Sequence, residues 1–235
     1  MPPISGKVIL GNQLADKFLV AGFGTEILYS FIIIACSLII YFGTKELYEL
    51  SSYKGLKYFR LSFLFFALAY FFRSFIKVIL LYFGINRIID FSPKVFNQFG
   101  NLTLLLFMYF SAMSIFYLLY SVMWKSNNSN KIYSFHALAV LIAVISIITR
   151  NPIIHLLLNL ILVISISIML YFAHNNKHKK NNLYMIYLLL FIFWILNILD
   201  ILIPDVFNNF QLFIYLASTG IFLLILFKVI KKTGN

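Results

Sequence analysis

The sequence predicts an all-α integral membrane bundle of seven transmembrane helices. Three observations carry that prediction. Seven separate apolar stretches are each long enough to cross a bilayer. Charged residues make up 11% of the 235 positions and hydrophobic ones 62%, against roughly 25% charged in ordinary soluble domains. The basic residues alternate in density from one connection to the next. With mean hydropathy +0.94, a chain of this size has no soluble way to hide its apolar surface.

At about 20 apolar residues per crossing, the spans fall near Glu26–Phe42, Tyr58–Phe83, Leu102–Trp124, Ile132–Ile148, Pro152–Phe172, Leu183–Ile203 and Phe210–Ile230. The connections are short, so residues 1–235 read as one transmembrane domain with a short extracytoplasmic N-terminal segment, 1–25. That segment lacks the basic start, compact apolar core and small-residue cleavage site of a signal peptide and is expected to be retained. Lys45, Lys54, Lys57, Arg60, Lys125, Lys131, Lys177, Lys179, Lys180, Lys228, Lys231 and Lys232 fall on one side of the membrane. Lys7, Lys17, Arg87, Lys94 and Arg150 fall on the other. Basic residues resist translocation, so the first side is cytoplasmic, with the N-terminus outside and the C-terminus inside.

The net charge of +12 is therefore a topology signal. No basic domain exists to hold nucleic acid. Tyrosine (15) and phenylalanine (27) are abundant, and tyrosines near span ends suit the interface. The single cysteine, Cys36, has no intrachain partner and reads as a small packing residue. The loop with His174, Lys177, His178, Lys179 and Lys180 lacks a carboxylate or thiol to complete a metal site and serves topology or acidic lipid. Asn101 and Asn127 match glycosylation acceptors, but the first abuts the membrane and the second falls inside.

Polarity inside the membrane is concentrated towards the outer side. Arg73 and Lys77 are four apart on one helical face of the second span, about 22 and 28 Å from its inner end at 1.5 Å per residue. Asn197 and Asp200 share a face of the sixth span at about 21 and 26 Å. His155 and Asn159 of the fifth span lie in the outer half, Glu26 opens the first span at the same level, and Asp205 caps the following outer loop. One reading is structural: Asp200 bridges Arg73 or Lys77, with Asn and His fastening helices. In another, Arg73, Lys77, His155, Asn159, Asn197 and Asp200 line an outward-facing ligand site, because two deep cations against one deep carboxylate leave room for an anionic or lipid-like ligand. In a third, the cations snorkel to lipid phosphates.

The chain contains no HExxH, GxSxG or glycine-rich phosphate loop, and Asp200 is its one clearly intramembrane acid, so neither an enzyme nor a cofactor is expected. Phe210–Phe227 contains no retinal-type lysine, and no Pro-Gln hinge occurs. A similarity between the hairpins around YFGTKEL…LSFLFFALAYFF and YFAHNNK…YLLLFIFWILN would suit a three-plus-one-plus-three repeat.

The segment KELYELSSYKGLKYFRLSFLFFALAYFFR, in which a basic inner loop with Gly55 leads into an aromatic-rich helix, resembles the seven-helix sensor regions of prokaryotic histidine kinases. The resemblance implies an N-out input module in a prokaryotic cytoplasmic membrane. With no kinase or cyclase following in the sequence, signalling would pass through a separate partner. The leading expectation is a sensor-like or ligand-binding membrane module. A small secondary transporter and a structural or assembly subunit are the alternatives.

Overall fold

A computed structural model describes residues 23–86, 93–124, 131–149, 152–175, 182–202 and 208–233. These residues form α1 (Phe23–Gly43), α2 (Lys45–Ser51), α3 (Lys54–Asn86), α4 (Pro93–Met123), α5 (Lys131–Thr149), α6 (Pro152–Asn175), α7 (Asn182–Leu202) and α8 (Asn208–Thr233), with no strand among them. Among the described residues, six helices are long and apolar enough to cross a membrane. The apolar part of α7, Tyr184–Asp200, is shorter than those six.

Helices are the economical answer for such a sequence, because hydrocarbon offers backbone groups no partner and a helix satisfies them within itself. Two helices outrun their expected spans. Helix α3 continues to Asn86, and α4 begins at Pro93, nine positions before Leu102. The predicted connection 43–57 contains α2 instead of plain loop. Thr44 Oγ1 donates to the Ile40 carbonyl at 2.7 Å, Lys45 and Glu49 pair across one turn, and Ser52 closes α2 in the left-handed region at φ 48°.

Helix α3 is the organising element, packing most extensively on α4 and α1. The path continues from α4 to α6, α7 and α8 and returns to α1, closing a ring. Helix α5 lies outside it, against α4 and slightly against α6. Across the ring, large side chains of α3 and α7 meet: Phe66 lies 6.2 Å from Phe193, and Phe193 and Phe222 pack edge to face at 5.0 Å. Phe63, Phe66, Phe193 and Phe222 are all buried. They fill the interior with a dry aromatic layer.

Four helices present stripes with alternating spacings of three and four, which keep residues on one face. They are Glu26, Tyr29, Ile33, Cys36 and Ile40 in α1; Phe59, Phe63, Phe66, Tyr70 and Arg73 in α3; Ile186, Leu190, Phe193, Asn197 and Asp200 in α7; and Gln211, Tyr215, Ser218, Phe222 and Ile225 in α8. Each stripe is apolar at one end and polar at the other. Cys36 is buried within its stripe, in the packing role expected of it.

Near the opposite end, α3 and α4 come into backbone contact at Gly55. A Cβ there would lie 2.8 Å from the Ser121 carbonyl oxygen and 2.9 Å from Trp124 Cδ1. Gly55→Ala is therefore expected to destabilise the protein by about 1–3 kcal/mol through forced displacement, read as a lower melting temperature in detergent. Gly220→Ala, where nothing lies within 4 Å, is expected to be neutral or to stabilise by up to about 1 kcal/mol; equal losses at both positions would remove the close-approach explanation.

Candidate functional site

The polar ends of the four stripes converge. Arg73 Nη2 donates to Asp200 Oδ2 at 3.0 Å and Arg73 Nε to Glu26 Oε1 at 3.3 Å. Gln211 Nε2 donates to Asp200 Oδ1 at 3.3 Å and to the Tyr215 hydroxyl at 3.0 Å. One guanidinium thus joins α3 to α1 and α7, and one carboxylate carries the connection on to α8. Side-chain exposure is 20% for Arg73, 13% for Glu26 and 8% for Asp200, low enough for these charge-assisted bonds to be strong.

A second tier lies one turn deeper. The Tyr29 and Tyr70 hydroxyls are 3.0 Å apart. Tyr70 donates to Asn197 Oδ1 at 2.7 Å, and Asn197 Nδ2 donates to the Phe193 carbonyl at 2.9 Å. Tyr29 stacks on Tyr215 at 4.9 Å and meets Tyr70 edge to face at 5.6 Å. The Arg73 guanidinium carbon lies 5.9 Å from the ring centres of both Tyr70 and Phe107, so aromatic faces supplement the carboxylates around the cation.

The two carboxylates sit in opposite helix fields. Glu26 occupies the first turn of α1, where the free N–H groups favour an anion. Asp200 is near the C-terminus of α7, where carbonyls disfavour one, so it depends on Arg73 and Gln211.

Of the expected site residues, Arg73, Asn197 and Asp200 are brought together. His155 and Asn159 are not joined to them by any hydrogen bond among the described residues. His155 Nδ1 lies 3.1 Å from Ser146 Oγ, linking α6 to α5, and buried Asn159 donates back to the His155 carbonyl at 2.9 Å. The side chain of Lys77, the residue Asp205, the basic loop at 177–180 and the acceptor Asn127 lie outside the described residues. Asn101 lies within α4. Of the two bridges considered, Arg73–Asp200 is present; Lys77–Asp200 falls outside the description.

Sequence reasoning missed Tyr29, Tyr70, Gln211 and Tyr215 as members of this cluster. Tyr29, Tyr70, Tyr187 and Tyr215 are all buried, because each hydroxyl has a partner inside the bundle. Their signal was positional: each lies on a stripe with, or next to, an intramembrane polar residue. Also missed was His136 of α5, placed between the hydroxyls of Tyr109 (2.9 Å to Nδ1) and Tyr117 (3.1 Å to Nε2) of α4.

Comparison with known proteins finds an "Uncharacterized protein" of Archaeoglobus fulgidus that is 30% identical over 214 residues, covering 88% of this chain and 92% of the relative. The chain belongs to the same family as that protein. No family model matches the chain, and no solved structure matches it.

Removing Arg73 takes a charge-assisted bond from both Asp200 and Glu26. Arg73→Leu is expected to destabilise the bundle by about 3–5 kcal/mol, and adding Glu26→Gln with Asp200→Asn should restore much of the loss in detergent melts. A triple variant no more stable than Arg73→Leu alone would mean that Arg73 is not held by its charge.

Proposed function

We propose that this chain is a sensor-like, ligand-responsive membrane module, not an enzyme. It crosses a prokaryotic cytoplasmic membrane seven times, with its N-terminus outside and its C-terminus in the cytoplasm, and reports to a separate signalling partner. The distribution of Lys and Arg supports the orientation.

One observation carries the functional part of the proposal: a single guanidinium is bonded to carboxylates on two different helices, α1 and α7. A group that competes for Arg73 therefore changes how helices are tied together, which is what a receptor needs. The two anions are not equivalent. Glu26 makes the longer bond, 3.3 Å against 3.0 Å, and the N-terminal field of α1 tolerates its carboxylate without the arginine. A ligand carboxylate or phosphate would displace Glu26 and leave the Arg73–Asp200 bond intact. Binding would then loosen α1 against α3. Exchange of one charge-assisted bond for another costs little, whereas breaking it without replacement costs about 1.5–3 kcal/mol.

The reading as a structural subunit draws support from Arg73 having protein partners on both sides. Transport would require the layer of Phe63, Phe66, Phe193 and Phe222 to part.

Two measurements test the proposal. Reporters fused before Glu26 and after Lys232 should lie outside and inside, respectively; the opposite signals would reverse the orientation. Phosphate, acetate and dioleoylphosphatidic acid should be titrated against detergent-solubilised protein, with melting temperature as the readout. At least one is expected to stabilise the wild type, Glu26→Gln should bind it about tenfold more tightly because the competing carboxylate is gone, and Arg73→Leu should not respond. If none of the three shifts wild type or Glu26→Gln, the proposal of an anionic ligand at Arg73 fails and the structural reading gains.

A further inference from the structure

Helix α3 carries a second arginine thirteen positions before Arg73, about 20 Å away along the axis and towards the opposite end of the bundle. Arg60 Nε donates to the Tyr41 carbonyl at 3.1 Å. Its guanidinium carbon lies 4.9 Å from the centre of the Tyr41 ring and 5.7 Å from that of Tyr48. One part-exposed cation thus touches the last turn of α1 and the middle of α2, positioned by a carbonyl and two rings.

Arg60 differs from Arg73 in what fills its fork. Arg73 gives N–H groups to two carboxylates. A guanidinium has five N–H donors, and the bond to Tyr41 uses one. Among the described residues, Arg60 Nη1 and Nη2 make no hydrogen bond and Arg60 makes no ion pair, so its other four donors remain to be given. Two carboxylates stand on the neighbouring α2, but Glu49 pairs with Lys45 at 3.7 Å and Glu46 is exposed. Lys54, Lys57 and Arg60 follow one another at spacings of three, which keeps them near one face, and both lysines are exposed. Lys45, Lys54, Lys57 and Arg60 against Glu46 and Glu49 leave a surplus of two positive charges.

The free fork and the surplus charge select an anion. A planar, pre-oriented guanidinium matches the oxygens of a phosphate better than a point charge does. Level selects the source of that phosphate. Arg60 is six positions from the start of α3, about 9 Å along the axis, beside exposed lysines and at the depth where lipid headgroups lie. Hydrocarbon-facing surface adjoins it. The Phe42 ring, on a residue 63% exposed, packs edge to face on Tyr41 at 5.1 Å, and Leu50, two positions after Tyr48, is 86% exposed. A cation bordered by exposed apolar side chains suits a ligand that has both a phosphate and hydrocarbon; the apolar border offers nothing to a free ion.

We propose that Arg60 binds the phosphate of an anionic phospholipid, with Lys57 adding charge and Phe42 flanking the lipid chain. The site does not rest on the reading of Arg73. Both leaflets carry phosphate, so it does not rest on the orientation either.

The experiment is native mass spectrometry of the full chain in a neutral detergent, titrated separately with dioleoylphosphatidylglycerol, dioleoylphosphatidylcholine and dioleoylglycerol. Phosphatidylglycerol is expected to bind about fivefold more tightly than phosphatidylcholine, whose own cation offsets its phosphate, and dioleoylglycerol should bind least. Arg60→Gln, which keeps a donor for the Tyr41 carbonyl and removes the charge, should lower the affinity for phosphatidylglycerol about fivefold and abolish the preference. Lys57→Gln should lower it about twofold. Inorganic phosphate in large excess should not displace the lipid. Equal binding of the two phospholipids, or affinity unchanged by Arg60→Gln, would overturn the proposal and leave Arg60 as a clamp between α1, α2 and α3. Displacement by inorganic phosphate would overturn the assignment to a lipid. Should Arg60→Gln fail to fold, Arg60→Lys decides: it keeps the charge and loses the fork, so an undiminished affinity would be equally fatal.

Discussion

A polar group facing hydrocarbon has no solvent to fall back on, and this constraint shapes the interior of the bundle. Arg73 meets it by drawing in Glu26 and Asp200, and Asp200 in turn takes a bond from Gln211. Once those four residues share one level, the registers of α1, α3, α7 and α8 are no longer free to slide. A shift of one turn, about 5.4 Å, would leave a carboxylate or the guanidinium against apolar neighbours, at a cost of several kcal/mol. Van der Waals packing between helices in lipid is much less particular about register. The polar tier selects the alignment, and the aromatic layer fills it.

Arginine suits this position better than lysine. Its planar fork sends Nε to one helix and Nη2 to another at the same time, and its delocalised charge packs against ring faces. The hydroxyls of Tyr29 and Tyr70 continue the polarity one turn inward without adding charge, and Asn197 ends that chain on a backbone carbonyl. The transition from ionic to hydrogen-bonding to hydrocarbon therefore follows depth. One charged side chain thus ties α3 to both α1 and α7.

Helical segments and the depth match of Arg73 with Asp200 were legible in the sequence, because both follow from counting residues along a helix of fixed rise. Three things were not. The bond from Glu26 requires knowing that α1 packs against α3, which spacing within one helix does not reveal. The buried tyrosines were hidden by a rule that is true of interfaces generally but silent about hydroxyls with internal partners. His155 and Asn159 were grouped with Arg73 on depth alone, and depth fixes only one coordinate: they lie on α6, and His155 turns its Nδ1 to Ser146 of α5. The same limit explains His136, which looks like an isolated histidine until α4 supplies a tyrosine on either side.

Helix α4 connects the two polar centres. Its Phe107 ring lies beneath the Arg73 guanidinium, and two residues on, Tyr109 bonds to His136. On its other neighbours, α4 packs against α3 and α6 inside the ring and carries α5 outside it. Helix α5 has few contacts besides α4, so displacing it disturbs little of the packed interior, whereas displacing α4 disturbs the aromatic face that supports Arg73. Two helices reach both centres: α4 supplies Phe107 and Tyr109, and α3, which carries Arg73, packs Tyr58 and Phe65 against Tyr117. The division of labour is physical: the ionic tier fixes the four helices it joins, and the peripheral helix is left comparatively free to respond to the bilayer.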